Sequence, residues 1–91
     1  MFKVYGVANC PDCKAAVLTL AKAEIKHVYF DARNVGSPTR AEFEDLAGRA
    51  IKTVPIIIKS DNGHQTLERG DEFIGSFADL KKHLEEEKQR V

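Results

Sequence analysis

Two cysteines, Cys10 and Cys13, are separated by Pro11 and Asp12, and the chain has no others. A thiol pair at this spacing, placed where a strand turns into a helix, can close into a disulfide and reopen with little backbone movement. Cys10 stands at the predicted helix start, where unpaired N–H groups and the positive end of the dipole favour a thiolate. Pro11 suits the first helical position because its missing N–H would have no intrahelical partner there. It keeps the turn rigid and directs Cys10 outward. Cys13 lies one turn later and less accessible. The positions assign roles: Cys10 attacks a substrate disulfide, and Cys13 attacks Cys10 to release the reduced product. Asp12 supports the helix start but opposes a nearby thiolate, and Lys3 and Lys14 are the candidate cations to offset it. Two inert core cysteines are the structural alternative. A Pro-Asp pair between them at a loop–helix junction argues against deep burial.

Metal chemistry has few ligands to draw on. Two cysteines exclude a four-cysteine zinc site within one chain, and His27, His64 and His83 lie at no local metal spacing from them. A disulfide-stapled secreted domain would carry more cysteine. Fourteen basic and fourteen acidic side chains cancel, leaving no basic stripe for phosphates, so nucleic acid is not an expected partner. In the charged run Lys81–Arg90 the cations alternate with Glu85, Glu86 and Glu87, as on a solvated helix face. The chain has 91 residues, 43% hydrophobic and 31% charged, which suits one soluble domain over residues 1–91 with one core. No stretch is long and apolar enough for a membrane span. The opening MFKVYG runs directly into a strand pattern, so no signal peptide is expected and the expected location is cytoplasmic.

The elements around the cysteines follow from periodicity. Phe2–Gly6 reads as a strand, Pro11 to about Ala23 as a helix with Val17, Leu20 and Ala21 behind Cys13, and Lys26–Asp31 as a second strand. Thr39–Ala47 reads as a helix ended by Gly48, with Ser37 before Pro38 as its cap. Val54-Pro55-Ile56-Ile57-Ile58 is a buried strand by its β-branched content. Asp61-Asn62-Gly63 predicts a hairpin returning through Gln65-Thr66-Leu67-Glu68. A last helix opens near Ser76, with Asp79 three residues on and Phe77, Leu80 and Leu84 as its apolar face. The order β-α-β-α-β-β-α predicts an α/β fold, a small mixed sheet flanked by helices.

These residues resemble the glutaredoxin family of the thioredoxin-like superfamily. The resemblance spans the chain and is carried by FKVYG, by CPDC, by Thr53-Val54-Pro55, and by Ile74-Gly75-Ser76-Phe77-Ala78-Asp79-Leu80. The opening MFKVYG is also similar to glutaredoxins of tailed bacteriophages, which would place the protein in a host cytoplasm. The resemblance implies a thioredoxin-like fold with a four-stranded mixed sheet. It implies a cis bond before Pro55, beside the dithiol, with Val54 offering its backbone to an extended peptide or to glutathione. Thr53, Val54, Phe77, Ala78 and Asp79 would form the glutathione groove, while Pro11, Asp12 and Pro55 shape the site. No permanent cofactor is implied, glutathione being a reducing cosubstrate. Implied partners are disulfide-bearing proteins, ribonucleotide reductase among them, met by a monomer.

The chain departs from the family pattern at several points. Ser76 replaces a second glycine, and Ala78 stands where an acid would meet the glutathione ammonium. Asp79 is a substitute from one residue on, or simply the N3 cap of its helix. Asp12 replaces the usual tyrosine. Ala8 replaces a basic residue, leaving Lys3 or Arg40 as candidates for the glycine carboxylate. The segment from Lys59 to Phe73 is longer than the family's hairpin, with Arg69-Gly70-Asp71 as its turn. Three alternatives differ in class or electron source: a redoxin of the same fold fed by thioredoxin reductase, a CxxC carrier of metal or iron–sulfur clusters, and a pure interaction module.

Overall fold

In the computed structural model, which describes residues 1–89, β1 (Phe2–Gly6) is the hub of a four-stranded sheet. All five of its residues are buried. It pairs in parallel with β2 (His27–Asp31) and antiparallel with β3 (Ile56–Lys59). β4 (Glu72–Gly75) pairs antiparallel with β3, giving the order β2-β1-β3-β4. A parallel neighbour requires a crossover, which α1 (Pro11–Lys22) supplies between β1 and β2. With α2 (Arg40–Ala47) and α3 (Phe77–Gln89) this is the thioredoxin-like topology, a mixed sheet flanked by helices.

Each face of the sheet has its own cluster. Phe2, Val4 and Ile57 pack against Ala16 and Leu20 of α1 and Leu80 of α3, with Phe77 and Leu84 at the margin. On the opposite face Tyr5, Ile56 and Ile58 meet Phe43 of α2. The Tyr5 ring lies 5.4 Å from Phe30 and 4.9 Å from Phe43, the latter edge-on. Burying a side chain the size of Phe43 contributes about 1.5–3 kcal/mol, enough to hold a helix of only eight residues to the sheet.

Several sequence expectations shift. The buried stripe of α1 is Cys13, Ala16 and Leu20 with Val17 beside it, and Ala21 is exposed, one residue further round the helix than Leu20. α2 is capped by Thr39, not Ser37. The Glu42 N–H donates to Thr39 Oγ1 at 3.2 Å, and the Thr39 N–H donates to Glu42 Oε2 at 2.8 Å. The Ser37 hydroxyl instead donates to the Asp31 carbonyl. Gly48 ends the helix at φ +70°, a left-handed position that glycine adopts without strain. Arg90, the end of the charged run, lies outside the described residues.

The larger correction concerns the expected hairpin. Asp61-Asn62-Gly63 does turn, with the His64 N–H donating to Asn62 Oδ1 at 2.9 Å, but Gln65–Glu68 form no strand. The return strand is β4, beginning at Glu72. The cause is Lys3, whose side chain has no exposure. Its ammonium donates to the Thr66 carbonyl and to Asp71 Oδ2, both at 2.9 Å. The Ser60 hydroxyl and the Glu68 N–H also donate to Asp71, and the Tyr5 hydroxyl donates to the Gln65 carbonyl at 2.6 Å. The carbonyls of 65 and 66 therefore serve β1 side chains sideways, where a hairpin would have spent them on β3. Arg69-Gly70-Asp71 is a turn, closed by the Asp71 N–H on the Glu68 carbonyl.

Candidate active site

The junction of β1 with α1 is built around Gly6. A Cβ at this position would stand 2.7 Å from Cys13 Sγ and 2.9 Å from Cys13 Cβ, so the helix closes on the strand only over a glycine. Asn9 then takes a left-handed conformation, φ +61°, which asparagine tolerates better than most residues. That reversal delivers Cys10 as the N-cap of α1, with extended backbone at φ −102° and ψ 107°. Pro11 follows at the first helical position, and Asp12 lies exposed in the first turn.

Helix caps are ordinarily oxygens. Here the cap is sulfur: the Cys13 N–H donates to Cys10 Sγ at 3.1 Å. The two cysteines are joined as a disulfide, with Cα atoms 5.3 Å apart. Cys13 is 2% exposed, while Cys10 is half-buried. Of the two cysteines, the one at the helix start is the more exposed. On its other side Cys13 borders an apolar groove of about 610 Å³ lined by Val7, Lys14, Val17, Leu18 and Tyr29.

Val54–Pro55 is a cis peptide, as expected, and Pro55 is buried immediately before β3. Proline suits this place because it has no N–H to give to a ladder. Thr53, Pro55 and Asp79 meet in a cleft of about 290 Å³, together with Arg49, Lys52 and Ser76. Val54 lines a neighbouring groove with Arg40, Lys52 and Thr53. Phe77 and Ala78 line neither. The Phe77 ring belongs to the core, with the Lys81 ammonium 5.0 Å from its centre, and Ala78 is exposed.

Asp79 is engaged by its own helix. Its Oδ2 accepts from the Ser76 N–H at 2.9 Å and from the Ser76 hydroxyl at 3.1 Å, and the Asp79 N–H donates to Ser76 Oγ at 3.4 Å. The Ser76 N–H above all holds the Asp79 carboxyl below the usual carboxylate range, against the opposing effect of burial, with Arg49 assisting. Arg49 Nη2 lies 3.6 Å from Asp79 Oδ2, and its guanidinium stands over the Phe73 ring at 5.3 Å.

Of the two cations proposed for a ligand carboxylate, Lys3 is excluded by its burial against Asp71, which also removes it as an offset to Asp12. Arg40 remains at the groove, 3.5 Å from Glu44. Sequence reasoning missed Arg49 and Lys52. Both lie within four residues of Thr53, so cation density beside the Thr-Val-Pro segment was the available signal. Among the described residues no group of three or more His, Cys, Asp or Glu is placed to hold a metal ion. None of the described helices is long and apolar enough to cross a membrane.

No family model and no curated protein matches the sequence. Solved structures do. Reduced glutaredoxin from Escherichia coli superposes with a TM-score of 0.63 at 26% identity, over 93% of each chain. Glutaredoxin from Brucella melitensis gives 0.62 at 26% identity, covering 98% of this chain and 83% of that one. Glutaredoxin 1 from Francisella tularensis, in complex with cacodylate, gives 0.56 at 23% identity over 93% and 92%. The fold is that of a glutaredoxin. Within a glutaredoxin frame the Cys10–Cys13 pair is a redox-active disulfide, and the chemistry it serves is that of an oxidoreductase. The cleft beside Pro55 has its own composition, two cations and an acid already held by the helix it caps.

Proposed function

We propose that the protein is a glutathione-dependent dithiol oxidoreductase that reduces protein disulfides or protein–glutathione mixed disulfides. The asymmetry of the two cysteines carries the proposal, Cys10 half-buried at the helix start and Cys13 2% exposed behind it. In the reduced protein the helix-start amides favour the Cys10 thiolate. That thiolate attacks one sulfur of the client disulfide, a Cys10–client bond forms, and the client's second sulfur leaves as a thiolate that takes up a proton. Cys13 loses its proton and attacks Cys10 Sγ, forming the Cys10–Cys13 disulfide and expelling the reduced client. Two glutathione molecules restore the dithiol: the first forms a mixed disulfide with Cys10, and the second releases it as glutathione disulfide. Thr53 and Val54 would offer backbone to the tripeptide, and the α3 start, Phe77 to Asp79, its γ-glutamyl end. A reducing cytoplasm is the compartment this cycle needs.

One observation favours a second electron source. Asp79 Oδ2 accepts from Ser76 and stands 3.6 Å from Arg49, and Ala78 brings no acid, so the α3 start offers an ammonium less carboxylate than two adjacent acids would. The same dithiol fed by thioredoxin reductase fits that arrangement. NADPH oxidation coupled through glutathione and glutathione reductase, then separately through thioredoxin reductase, distinguishes them. Turnover only in the second assay would overturn the glutathione-dependent function.

A further inference from the structure

The outer side of α1 leaves an apolar surface uncovered beside the dithiol. Among the described residues four large apolar side chains are exposed, and two of them, Leu18 at 57% and Tyr29 at 42%, stand in one groove with Val17 and Cys13. Apolar side chains exposed singly are ordinary, whereas two sharing a groove at a reactive centre mark a contact surface. Val17 and Leu18 come from α1 and Tyr29 from β2, an edge strand of the sheet. The Tyr29 wall is held in place: its Cε2 lies 3.1 Å from the point where a Cβ on Gly6 would stand, so the ring and Cys13 both rest on the bare glycine. The one charge lining the groove is Lys14, which is exposed and has no ion-pair partner among the described residues. Asp12 lines no part of it, since residues two apart on a helix face different sides.

We infer that this groove is a docking site for the client polypeptide. It takes an aromatic or large aliphatic side chain two residues from the client's disulfide cysteine, in a segment that carries an acid for Lys14. The inference rests on the client reduction proposed above and names the class of client. Position decides the occupant: Cys13 lines the groove and is bonded to Cys10, so a polypeptide joined to Cys10 brings its neighbouring residues to the groove. In an extended segment, residues two apart point to one face and lie about 7 Å from each other, so the cysteine and the anchoring side chain turn toward the protein together. Lys14 sets the sign of the flanking charge, repelling a client lysine or arginine and attracting an acid. A second copy of the chain fits less well, because two exposed side chains fall far short of the roughly 800 Å² per partner that a stable interface buries.

The test uses protein reduced with dithiothreitol and then freed of it, so glutathione takes no part. Each probe is the disulfide-linked homodimer of a short acetylated peptide amide with one cysteine. The first carries Phe two residues from the cysteine and Glu next to the Phe, and the others replace Phe by Ala or Glu by Lys. One set places the Phe before the cysteine and a second set places it after. In each reaction the protein dithiol is oxidised to the Cys10–Cys13 disulfide, the peptide disulfide bond breaks, and the two thiol protons pass to two peptide thiols. Second-order rate constants are read by mass spectrometry of quenched samples. Each ratio between peptides is divided by the ratio that dithiothreitol gives with the same peptides, so intrinsic reactivity cancels. We expect a Phe/Ala ratio of about tenfold in the better set, the effect of burying about half of a phenylalanine side chain. It should fall to about threefold in Leu18→Gln and to about one in Leu18→Gln/Tyr29→Ser. The Glu/Lys ratio should be about threefold, as for exposed ion pairs, and should invert in Lys14→Glu. A Phe/Ala ratio near one in both sets, or one unmoved by Leu18→Gln, overturns the docking site while leaving disulfide reduction intact. A ratio that rises on dilution as a dimer dissociates also overturns it and gives the groove to a second copy. A Glu/Lys ratio indifferent to Lys14→Glu overturns the charge preference. Reduction of no peptide overturns the client-reducing function itself.

Discussion

The two ends of β1 treat polar atoms in opposite ways. At Gly6 the strand yields space, Cys13 packs onto the bare backbone, and Cys10 is left half-buried at a helix start. At Lys3 the strand buries a charge completely and surrounds it with Asp71 and the Thr66 carbonyl. One end keeps a reactive group available, and the other consumes its polar group in holding the Ser60–Asp71 excursion in place. Reactivity and stability should therefore separate along a strand of five residues.

The largest expected effect is at the reactive end. Cys10→Ser should abolish all thiol exchange with little change in unfolding, because no accessible nucleophile remains. Cys13→Ser should stall protein-disulfide reduction as a covalent adduct through Cys10 while still removing glutathione from glutathionylated substrates, since free glutathione resolves that bond from outside. Mass spectrometry of trapped adducts checks both. An adduct formed by the Cys10→Ser protein and absent from Cys13→Ser would reverse the assigned order.

The closed end should show the converse. Lys3→Met strands the Asp71 carboxylate in the interior and should cost about 3–5 kcal/mol in urea unfolding, with thiol exchange per folded molecule unchanged. Adding Asp71→Leu should recover most of that loss. A single variant as stable as the native protein would show that the pair contributes nothing. Gly6→Ala tests the boundary between the ends. It drives a methyl into Cys13 and should cost about 1–3 kcal/mol by overpacking, with Cys13 labelling faster in the reduced protein. Thermal unfolding and labelling kinetics read the two effects.

Acid should produce the smallest difference. Burial pushes the Asp71 carboxyl up, but the Ser60 hydroxyl, the Glu68 N–H and Lys3 together outweigh it, and the net direction is down. A depressed folded-state value contributes stability that is complete above the unfolded carboxylate range and is lost as pH falls through the folded value. The native protein should therefore lose stability more steeply on acidification than the Lys3→Met/Asp71→Leu protein. Parallel curves would remove Asp71 from the acid response.

The reactive end was legible in the sequence because its determinants are local. Cys10, Pro11 and Cys13 lie within one turn, and a strand pattern before them with helix formers after them places the turn. The Pro55 segment was equally local. The closed end was not legible, because Lys3 and Asp71 are 68 residues apart, and a lysine in a strand ordinarily reads as solvent-facing. The same long-range pair misdirected the hairpin: Asn62-Gly63 gave the correct turn, and nothing nearby signalled that residues 65 and 66 owed their carbonyls to β1. Arg49 was missed because a cation after a helix-ending glycine looks like any surface residue until Asp79 is brought to it by the fold.

The Lys3 node also has a bearing on how this chain could change over evolutionary time. The Ser60–Asp71 excursion and residue 3 behave as one exchangeable unit, although Lys3 and Asp71 are 68 residues apart. Trimming the excursion to a tight hairpin would leave an ammonium inside the sheet without acceptors, and replacing Lys3 first would leave Asp71 without its cation. A recombinant joining the first half of a short-hairpin relative to the second half of this chain should therefore fail to fold well unless it carries lysine at position 3. A selection for folded crossovers between the two should recover that coupling as a linked pair.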